Sequence, residues 1–286
     1  MLNVLLEFPN ISPNAIEIWG FGIRWYSLAY IGGLILGWWF VRQMNKQTKA
    51  LDAKQYDDIL TWAIFGVILG GRLGFVLFYK PIEYLHDPMR ILHIWEGGMS
   101  FHGGMIGMVL AMYLFCRSRK IRFFPVMDMV AVTAPIGLFF GRLANFINGE
   151  LYGRVTDSPL GMVFPADPLQ LPRHPSQLYE AALEGLVLGI MLYISFRLGM
   201  WKRAKFNSGL FLVGYGVFRS ISELFREPDK HLGYIIEGIT MGQLLSAPMI
   251  LLGIYLLITS KPTTELETKE VSEKWQKKKL KRKKKK

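Results

Sequence analysis

Seven long apolar segments constrain this chain more than any other feature. They lie at about residues 18–41, 59–79, 91–115, 125–147, 178–197, 208–225 and 236–259. A helix needs roughly 20 apolar residues to cross the hydrocarbon core of a bilayer, which is about 30 Å thick. Inside lipid, the backbone must satisfy its own hydrogen bonds, and a helix does so within one segment. The segments therefore predict an all-α polytopic membrane protein with seven transmembrane helices.

The charged residues are few and segregated, which agrees with a membrane protein. Of 286 residues, 51% are hydrophobic and 20% are charged. Much of the net charge of +12 comes from the lysine-rich end of the chain, at residues 274–286. A lysine run can bind nucleic acid. Next to a membrane helix it favours an anchor attracted to anionic lipid, so we expect no nucleic-acid partner.

Lysine and arginine are distributed unevenly between the loops, and this predicts the orientation. The loops after the first, third and fifth segments and the C-terminal end are rich in both residues, whereas residues 1–17 contain neither. Because cytoplasmic loops carry the excess of Lys and Arg, the N-terminus is predicted outside and the C-terminus in the cytoplasm. We expect a transmembrane catalytic domain over 1–260 and a disordered, basic cytoplasmic tail over 261–286. For residues 1–17 we expect at most a short surface helix.

Ionisable and polar residues cluster by depth in the predicted helices. At a rise of about 1.5 Å per residue, nearly all of them fall in the outer half of the bilayer, with Asp128 as the main exception. The group comprises Arg24, Tyr26, Arg72, His93, Glu96, His102, Arg142, Asn145, Glu180, Glu184, Arg219, Glu223 and Glu237. Unpaired charges in hydrocarbon are costly and usually functional. The pattern predicts one polar cavity open to the outside, with structural ion pairs as the alternative.

The stretch 141–154, with the sequence GRLANFINGELYGR, is the most polar part of this group. On a helix, Arg142, Asn145 and Gly149 would share one face, because they are spaced i, i+3 and i+7. Arginine suits a planar, bidentate grip on phosphate. A lipid headgroup is the natural phosphate at that depth. The chain has one cysteine, Cys116. It lies near the predicted inner surface, so it is poorly placed to act as a nucleophile in a cavity that opens to the outside.

Two further residues have competing interpretations. His102 is followed by Gly103 and lies in a helix with Gly107, a small-xxx-small pair that permits close helix packing. A histidine there can accept a proton, or it can be a hydrogen-bonded core residue. Tyr26 lies deeper than an interfacial tyrosine belt would place it, which favours a role in the polar site.

Motifs near the fifth and sixth segments add candidates. Ser176 is placed to cap the fifth helix, with Gln177 and Glu180 facing the mouth of the cavity. Arg226 is a second candidate for phosphate binding, and an interfacial salt bridge with Glu223 or Glu227 is the alternative. Metal-ligand spacings, a P-loop and a GxSxG elbow are absent from the sequence, so we predict no metal and no cofactor.

Four stretches in order resemble prolipoprotein diacylglyceryl transferases. They are HGGMIG at 102–107, GRLANFINGELYGR at 141–154, RHPSQLYE at 173–180 and FREPD at 225–229. The likeness covers nearly the whole chain except the lysine tail. Ala144 stands where many family members have glycine, a small-for-small change.

The resemblance implies a reaction, a place and a set of site residues. Diacylglyceryl would pass from phosphatidylglycerol to the lipobox cysteine of a preprolipoprotein, at the periplasmic side of the bacterial inner membrane. The implied catalytic residues are His102, Tyr26, Asn145 and Glu150, with Glu150 or a water-linked group as alternative bases to His102. The implied phosphatidylglycerol-binding residues are Arg142, Arg226, Asn148, Gly149 and Gly153.

Two other classes remain as alternatives to this enzyme. A transporter would place its site near the midplane and show matched repeats, which the sequence lacks. A lipid-binding scaffold would keep the arginines without needing the histidine or the asparagine pair.

Overall fold

The computed structural model describes residues 6–9, 11–18, 21–227, 234–236 and 239–262, and they are mostly helical. The α-helices are α1 (Trp25–Thr48), α2 (Ala53–Phe78), α3 (Pro81–His86), α4 (Phe101–Arg119), α5 (Phe123–Ile147), α6 (Ser176–Glu180), α7 (Leu188–Arg197), α8 (Phe206–Ser222) and α9 (Met241–Ile258). A π-helical segment, Ala181–Val187, joins α6 to α7 in one continuous helix.

Four helices within the described residues are long and apolar enough to cross a membrane. They are α2, α5, the continuous helix Ser176–Arg197 and α9. The chain is therefore a mostly helical membrane protein with several candidate spans. The number of seven crossings and the orientation of the termini stay predictions. Glu237 and residues 263–286, which include nearly all of the predicted tail, lie outside the described residues.

Four predicted helix starts are wrong. α2 begins at Ala53 rather than near residue 59, and α9 begins at Met241 rather than near residue 236. The first helix begins at Trp25 rather than near residue 18, because Phe21–Arg24 form a strand. The third segment was predicted from residue 91, but α4 begins only at Phe101. Gly97 and Gly98 adopt φ values of +82° and +78°, which a helix cannot accommodate. Hydropathy does not register such backbone breaks, so it extended the helix too far.

The residues before α4 therefore form short 3₁₀ turns, Pro88–Leu92 and Ile94–Glu96. His93 is half-buried and Glu96 is exposed there, and they contact each other at 3.1 Å, between Nδ1 and Oε1. The prediction that both belong to a membrane helix is wrong.

Short antiparallel strand pairs qualify the all-α prediction. The pairs are β1 (Asn14–Ile18) with β2 (Phe21–Arg24), β3 (Met162–Val163) with β4 (Pro172–Arg173), β5 (Arg203–Ala204) with β8 (Lys261–Pro262), and β6 (Tyr234–Ile236) with β7 (Ile239–Thr240). The surface helix expected within residues 1–17 is wrong for its described part, since Asn14–Ile18 is a strand.

The chain forms two compact units. The first unit contains Met1–Gly37 and Ala131–Lys286, and the second contains Trp38–Val130. In the second unit, α2 and α4 pack through glycines on both helices. A Cβ added at Gly70 would lie 2.6 Å from the Cα of Gly107, and one added at Gly74 would lie 2.7 Å from the Cα of Gly103. The predicted small-xxx-small packing is confirmed for this helix pair.

The loop between α2 and α4 is held by one buried side chain, Arg72. Its Nε donates to the carbonyl of Ile91 at 2.9 Å, and its Nη1 donates to Gly98 at 3.3 Å. Further bonds reach the carbonyls of Gly97 and Arg90. A single guanidinium therefore satisfies carbonyls on both sides of the 3₁₀ turns.

The loop at residues 148–175, between α5 and α6, has a small core of its own in the first unit. Phe164 is fully buried and packs against the rings of Phe8 and Phe146, with centroid separations of 5.2 and 6.2 Å. Arg173 forks onto Asp167 with distances of 2.7 and 3.1 Å. This pair fixes the polar loop that leads from α5 into α6.

Candidate functional site

Arginine and glutamate side chains form a buried cluster in the first unit. We call Arg142, Glu180, Glu184, Arg219, Glu223 and Arg226 the arginine–glutamate cluster. Arg142 Nε lies 2.7 Å from Glu180 Oε2, and its Nη2 lies 3.5 Å from Glu184 Oε2. Arg219 Nη1 lies 3.2 Å from Glu180 Oε1, and Arg219 also pairs with Glu223. Arg226 Nη1 lies 3.4 Å from Glu180 Oε1. Glu180 is thus the common ion-pair partner of all three arginines.

The helices explain how these side chains meet. Arg142 lies near the end of α5, Glu180 ends α6, and Arg219 is four residues before Glu223 at the end of α8. Glu184 lies in the π-helical segment that follows Glu180. Such segments are rare and occur mostly at functional sites, because the wider turn changes which residues share a face. Here it accompanies two carboxylates that both approach Arg142.

Because the cluster is buried, a charged side chain left there without a partner would cost free energy. The Glu180 and Glu184 side chains retain 1% and 0% of their accessible surface, whereas Arg142 retains 16%. The 2.7 Å approach of Arg142 to Glu180 Oε2 is an ion pair without good hydrogen-bond angles, since that oxygen has no hydrogen-bond partner. The guanidinium is therefore neutralised but not fully satisfied. A ligand oxygen with better geometry could compete for it.

A second polar group continues from the end of α5. Asn145 Nδ2 donates to Glu150 Oε1 at 2.8 Å, and Asn148 Nδ2 donates to the same oxygen at 3.3 Å. Gln177 Nε2 donates to the Glu150 carbonyl at 2.7 Å. The structure therefore brings together Asn145, Asn148 and Glu150, as the sequence predicted for a shared site.

The turn after α5 depends on left-handed backbone. Gly149 has a φ of +67°, and Leu151 has a φ of +60°. The helix ends at Ile147, so Gly149 does not share a helical face with Arg142 and Asn145, and that part of the prediction is wrong. The prediction that glycines permit this turn is confirmed at Gly149. At Gly153, an added Cβ would lie 2.7 Å from the Cβ of His174, so only glycine fits.

Ser176 does not cap the fifth predicted helix, contrary to expectation. It is the first residue of α6, and its Oγ donates to the carbonyl of Leu151 at 3.0 Å. Its hydroxyl therefore serves the turn after α5 rather than the helix it begins. Sequence spacing could not reveal this, because Leu151 lies far away in the chain.

A cavity of about 460 Å³ opens beside this turn. It is lined by Pro13, Asn14, Arg24, Asn148 and Glu150. Tyr26 lies two residues after Arg24, and its hydroxyl contacts that of Tyr30 at 3.3 Å. Tyr26 therefore lies close in the chain to the lining of this cavity and in the same unit, and its role in the site stays a prediction.

His102 lies in the second unit, as the second residue of α4. Ser100 caps that helix by accepting from the backbone N–H of Gly103 at 3.2 Å, and the His102 side chain is exposed. The glycine-flanked position is thus the first turn of α4. The role of His102 as a base stays a prediction.

In the polar loop at residues 148–175, the surroundings of two side chains shift their pKa values. The hydrogen bond from Arg173 lowers the pKa of Asp167 below its ordinary value of 3.8. Burial lowers the pKa of His174, whose Nδ1 lies 3.2 Å from the hydroxyl of Tyr179. The Asp167 shift favours its charged form and the His174 shift favours its neutral form, which agrees with a structural role for this loop.

Sequence reasoning placed Glu184 and Arg219 in the polar region without giving either a role. The signal available was the spacing of Arg219 and Glu223, four residues apart with opposite charges. Within the described residues, no set of three or more His, Cys, Asp or Glu side chains is arranged to hold a metal ion.

Apolar helices of membrane-spanning length and a buried arginine–glutamate cluster define a polytopic membrane protein with a polar interior site. A profile of the prolipoprotein diacylglyceryl transferase family matches residues 13–259. The phosphatidylglycerol–prolipoprotein diacylglyceryl transferase of Rickettsia felis is 51% identical over 259 residues, covering 90% of this chain and all of the relative. That of Azospirillum brasilense is 53% identical over 255 residues, covering 88% and 95%. The chain belongs to the prolipoprotein diacylglyceryl transferase family and is a transferase.

Proposed function

We propose that this enzyme transfers diacylglyceryl from phosphatidylglycerol to the cysteine thiol of a prolipoprotein lipobox. The observation that carries the proposal is the match to relatives of this name over their full length, with about half of all residues identical. The arginine–glutamate cluster and the adjoining amide–carboxylate group support it, because an anionic lipid headgroup needs both cationic and polar partners. Neither a transporter nor a lipid-binding scaffold accounts for the family match.

The reaction exchanges one bond at the glyceryl carbon for another. The cysteine thiol loses its proton, and the thiolate attacks the glyceryl carbon that carries the phosphate ester. The carbon–sulfur bond forms as the carbon–oxygen bond breaks, and glycerol phosphate leaves with the electron pair. The thiol proton passes to a base and then to solvent or product. Catalysis therefore requires a base for the thiol and positive charge for the leaving phosphate.

Arg142 is our candidate for binding the phosphate. Of the three arginines in the cluster, its side chain retains the most accessible surface, 16% against 12% for Arg219 and 9% for Arg226. In this proposal Glu180 and Glu184 orient the guanidinium until the phosphate arrives. Arg226 adds a further positive charge next to Glu180.

The amide group and Tyr26 complete the proposed headgroup site. Asn145 and Asn148 fix the Glu150 carboxylate, which orients the glycerol part of the headgroup. Gly149 and Gly153 supply the backbone turn, and Tyr26 offers a hydroxyl. His102 is the proposed base, with Glu150 as the alternative. We place the enzyme in the bacterial inner membrane with this site toward the periplasm, as the loop charges predict.

The decisive experiment uses purified enzyme, headgroup-labelled phosphatidylglycerol and a lipobox peptide. We expect release of labelled glycerol phosphate only when the peptide carries cysteine, together with a thioether-linked diacylglyceryl peptide. The matched control is the same peptide with serine in place of cysteine. Lipid binding without release would favour a scaffold, and lipid movement between leaflets without release would favour a transporter.

A separate variant tests the base. His102→Gln should lower transfer by roughly 10²- to 10⁴-fold, the usual loss for a general base. Transfer above about a tenth of normal would assign the proton to another group, and Glu150→Gln is then the next variant to assay.

A further inference from the structure

Among the residues that the structure describes, Arg24 is a cation without a counter-ion at the edge of the site. Its side chain is exposed and lines the cavity of about 460 Å³ together with Asn148 and Glu150. Within the described residues, its guanidinium makes no hydrogen bond or ion pair. Arg142, Arg219 and Arg226 differ from it, because each faces at least one glutamate.

The backbone at Arg24 is held by hydrogen bonds to the neighbouring strand and at the start of the helix that follows. Arg24 ends β2, where it pairs with Asn14 of β1. The next residue, Trp25, begins α1, and its N–H donates to the carbonyl of Pro13 at 3.1 Å. A hairpin and a helix start therefore hold the Cα of Arg24 in place. An arginine on such a base can reach a ligand at little cost in backbone order.

Apart from Arg24, neither the lining of the cavity nor the arginine–glutamate cluster offers an excess positive charge for an anion. In the arginine–glutamate cluster, the formal charges of Arg142, Arg219 and Arg226 are cancelled by Glu180, Glu184 and Glu223. Glu150 adds a negative charge at the cavity itself. A phosphate group entering there brings another negative charge, which needs a positive partner. Arg24 is positioned to supply the missing positive charge.

We propose that Arg24 binds a phosphate oxygen of the ligand in this cavity and is a further substrate-binding residue. The inference rests on the proposed function, because it takes the ligand to be a phosphate ester. Two ligands share that chemistry: the phosphodiester of phosphatidylglycerol before transfer, and the phosphomonoester of glycerol phosphate after it. Arginine serves either one through paired N–H donors.

The test compares Arg24→Gln and Arg24→Lys with the parent enzyme. Transfer is measured against the mole fraction of phosphatidylglycerol in mixed micelles, and glycerol phosphate is titrated as an inhibitor. Arg24→Gln should raise the KM for phosphatidylglycerol by roughly tenfold, as expected for one charge-assisted hydrogen bond, with kcat within about threefold. Arg24→Lys should recover most of that loss, since it keeps the charge. A weaker inhibition by glycerol phosphate in Arg24→Gln would place the product at the same subsite, whereas unchanged inhibition would restrict Arg24 to the phosphodiester.

The matched control is Arg197→Gln, which removes another exposed arginine of the first unit. Arg197 donates to the hydroxyl of Tyr193 at 2.9 Å and does not line the cavity. The KM of the Arg197→Gln variant for phosphatidylglycerol should stay at the parent value. A KM within twofold of the parent for Arg24→Gln, in a parent that transfers normally, would overturn the inference and leave the proposed function intact.

A direct binding measurement separates the role of Arg24 from the question of whether the enzyme transfers the lipid. Calorimetric titration with short-chain phosphatidylglycerol should give a weaker affinity for Arg24→Gln than for Arg197→Gln. A parent that binds this lipid without transferring it would contradict the proposed function, and the titration would still decide the role of Arg24. Melting temperatures of all variants show whether Gln disturbs the hairpin, and in that case the Arg24→Lys titration against the parent carries the test.

Discussion

Arg72 and Arg142 both lie on long apolar helices, but their charges are handled in different ways. Arg72, in the second unit, donates to backbone carbonyls of the loop that follows α2. Arg142, in the first unit, faces the carboxylates of Glu180 and Glu184. Carbonyls are fixed in the chain and cannot be exchanged for a ligand without unravelling the loop. Carboxylates cancel the charge of the guanidinium, and some of its N–H groups can bind another anion in their place. Partner chemistry thus separates a structural arginine from a candidate binding arginine.

The largest effect is expected at Arg142. Arg142→Gln removes one of the arginines that Glu180 and Glu184 face, together with the proposed partner of the phosphate, so kcat/KM should fall by at least about 100-fold. Arg142→Lys keeps the charge but cannot fork, and should still lose at least about tenfold. Both are measured by transfer from labelled phosphatidylglycerol. Near-normal transfer in either variant would count against a bidentate grip and would erase the contrast with Arg72.

Substitution of Arg72 should act on stability. Arg72→Met orphans the carbonyls of Arg90, Ile91, Gly97 and Gly98, and we expect a loss of roughly 2–4 kcal/mol in the free energy of unfolding. Thermal unfolding in detergent measures it. Full stability combined with a loss of transfer as large as that of Arg142→Gln would break the comparison, because Arg72 would then behave as a site residue.

The helix contact beneath the Arg72 loop offers a smaller effect. Gly70→Ala would place a Cβ 2.6 Å from the Cα of Gly107, so α2 and α4 must separate, at a cost of roughly 1–3 kcal/mol. Gly32→Ala in α1 is the matched control, since a Cβ there meets nothing within 4 Å. The melting temperature should fall for Gly70→Ala alone. Equal melting temperatures for both variants would show that the close approach contributes nothing.

The smallest effect is expected at Asp167, an arginine–carboxylate pair outside the membrane-spanning helices. Its pKa is lowered by the hydrogen bond from Arg173, so the stabilisation is complete above the ordinary value of 3.8 and is lost as the pH falls through the lowered pKa. Asp167→Asn should cost roughly 1 kcal/mol at pH 7, because asparagine keeps one acceptor oxygen. The difference in melting temperature from the parent should shrink below pH 4. A difference that stays constant down to pH 2 would mean that the carboxylate charge is not the cause.

The sequence located a group of neighbouring polar residues better than it located the ends of the helices. Arg142, Asn145 and Glu150 stood out because polar groups in an apolar chain are costly, and the structure places them in one unit. The start of α4 was missed because Gly97 and Gly98 adopt backbone angles that hydropathy does not encode. The pairing of Arg142 with Glu180 is a tertiary contact between residues far apart in the chain, so spacing could suggest a shared cavity but not which charges meet.

The wide helical turn between α6 and α7 sets the spacing of two glutamates in the arginine–glutamate cluster. Side-chain substitutions would not reveal this dependence, because they leave the number of residues unchanged. A π-helical segment contains one residue more than the α-helix it interrupts. Removal of one residue from positions 181–183 would restore ordinary winding. The apolar helix beyond the cut would keep the direction it faces, but Glu184 would move one position closer to Glu180, which changes the angle between the two carboxylates about the helix axis. Chain length at this one position is therefore as much a determinant of the charged interior as the identity of any side chain in it.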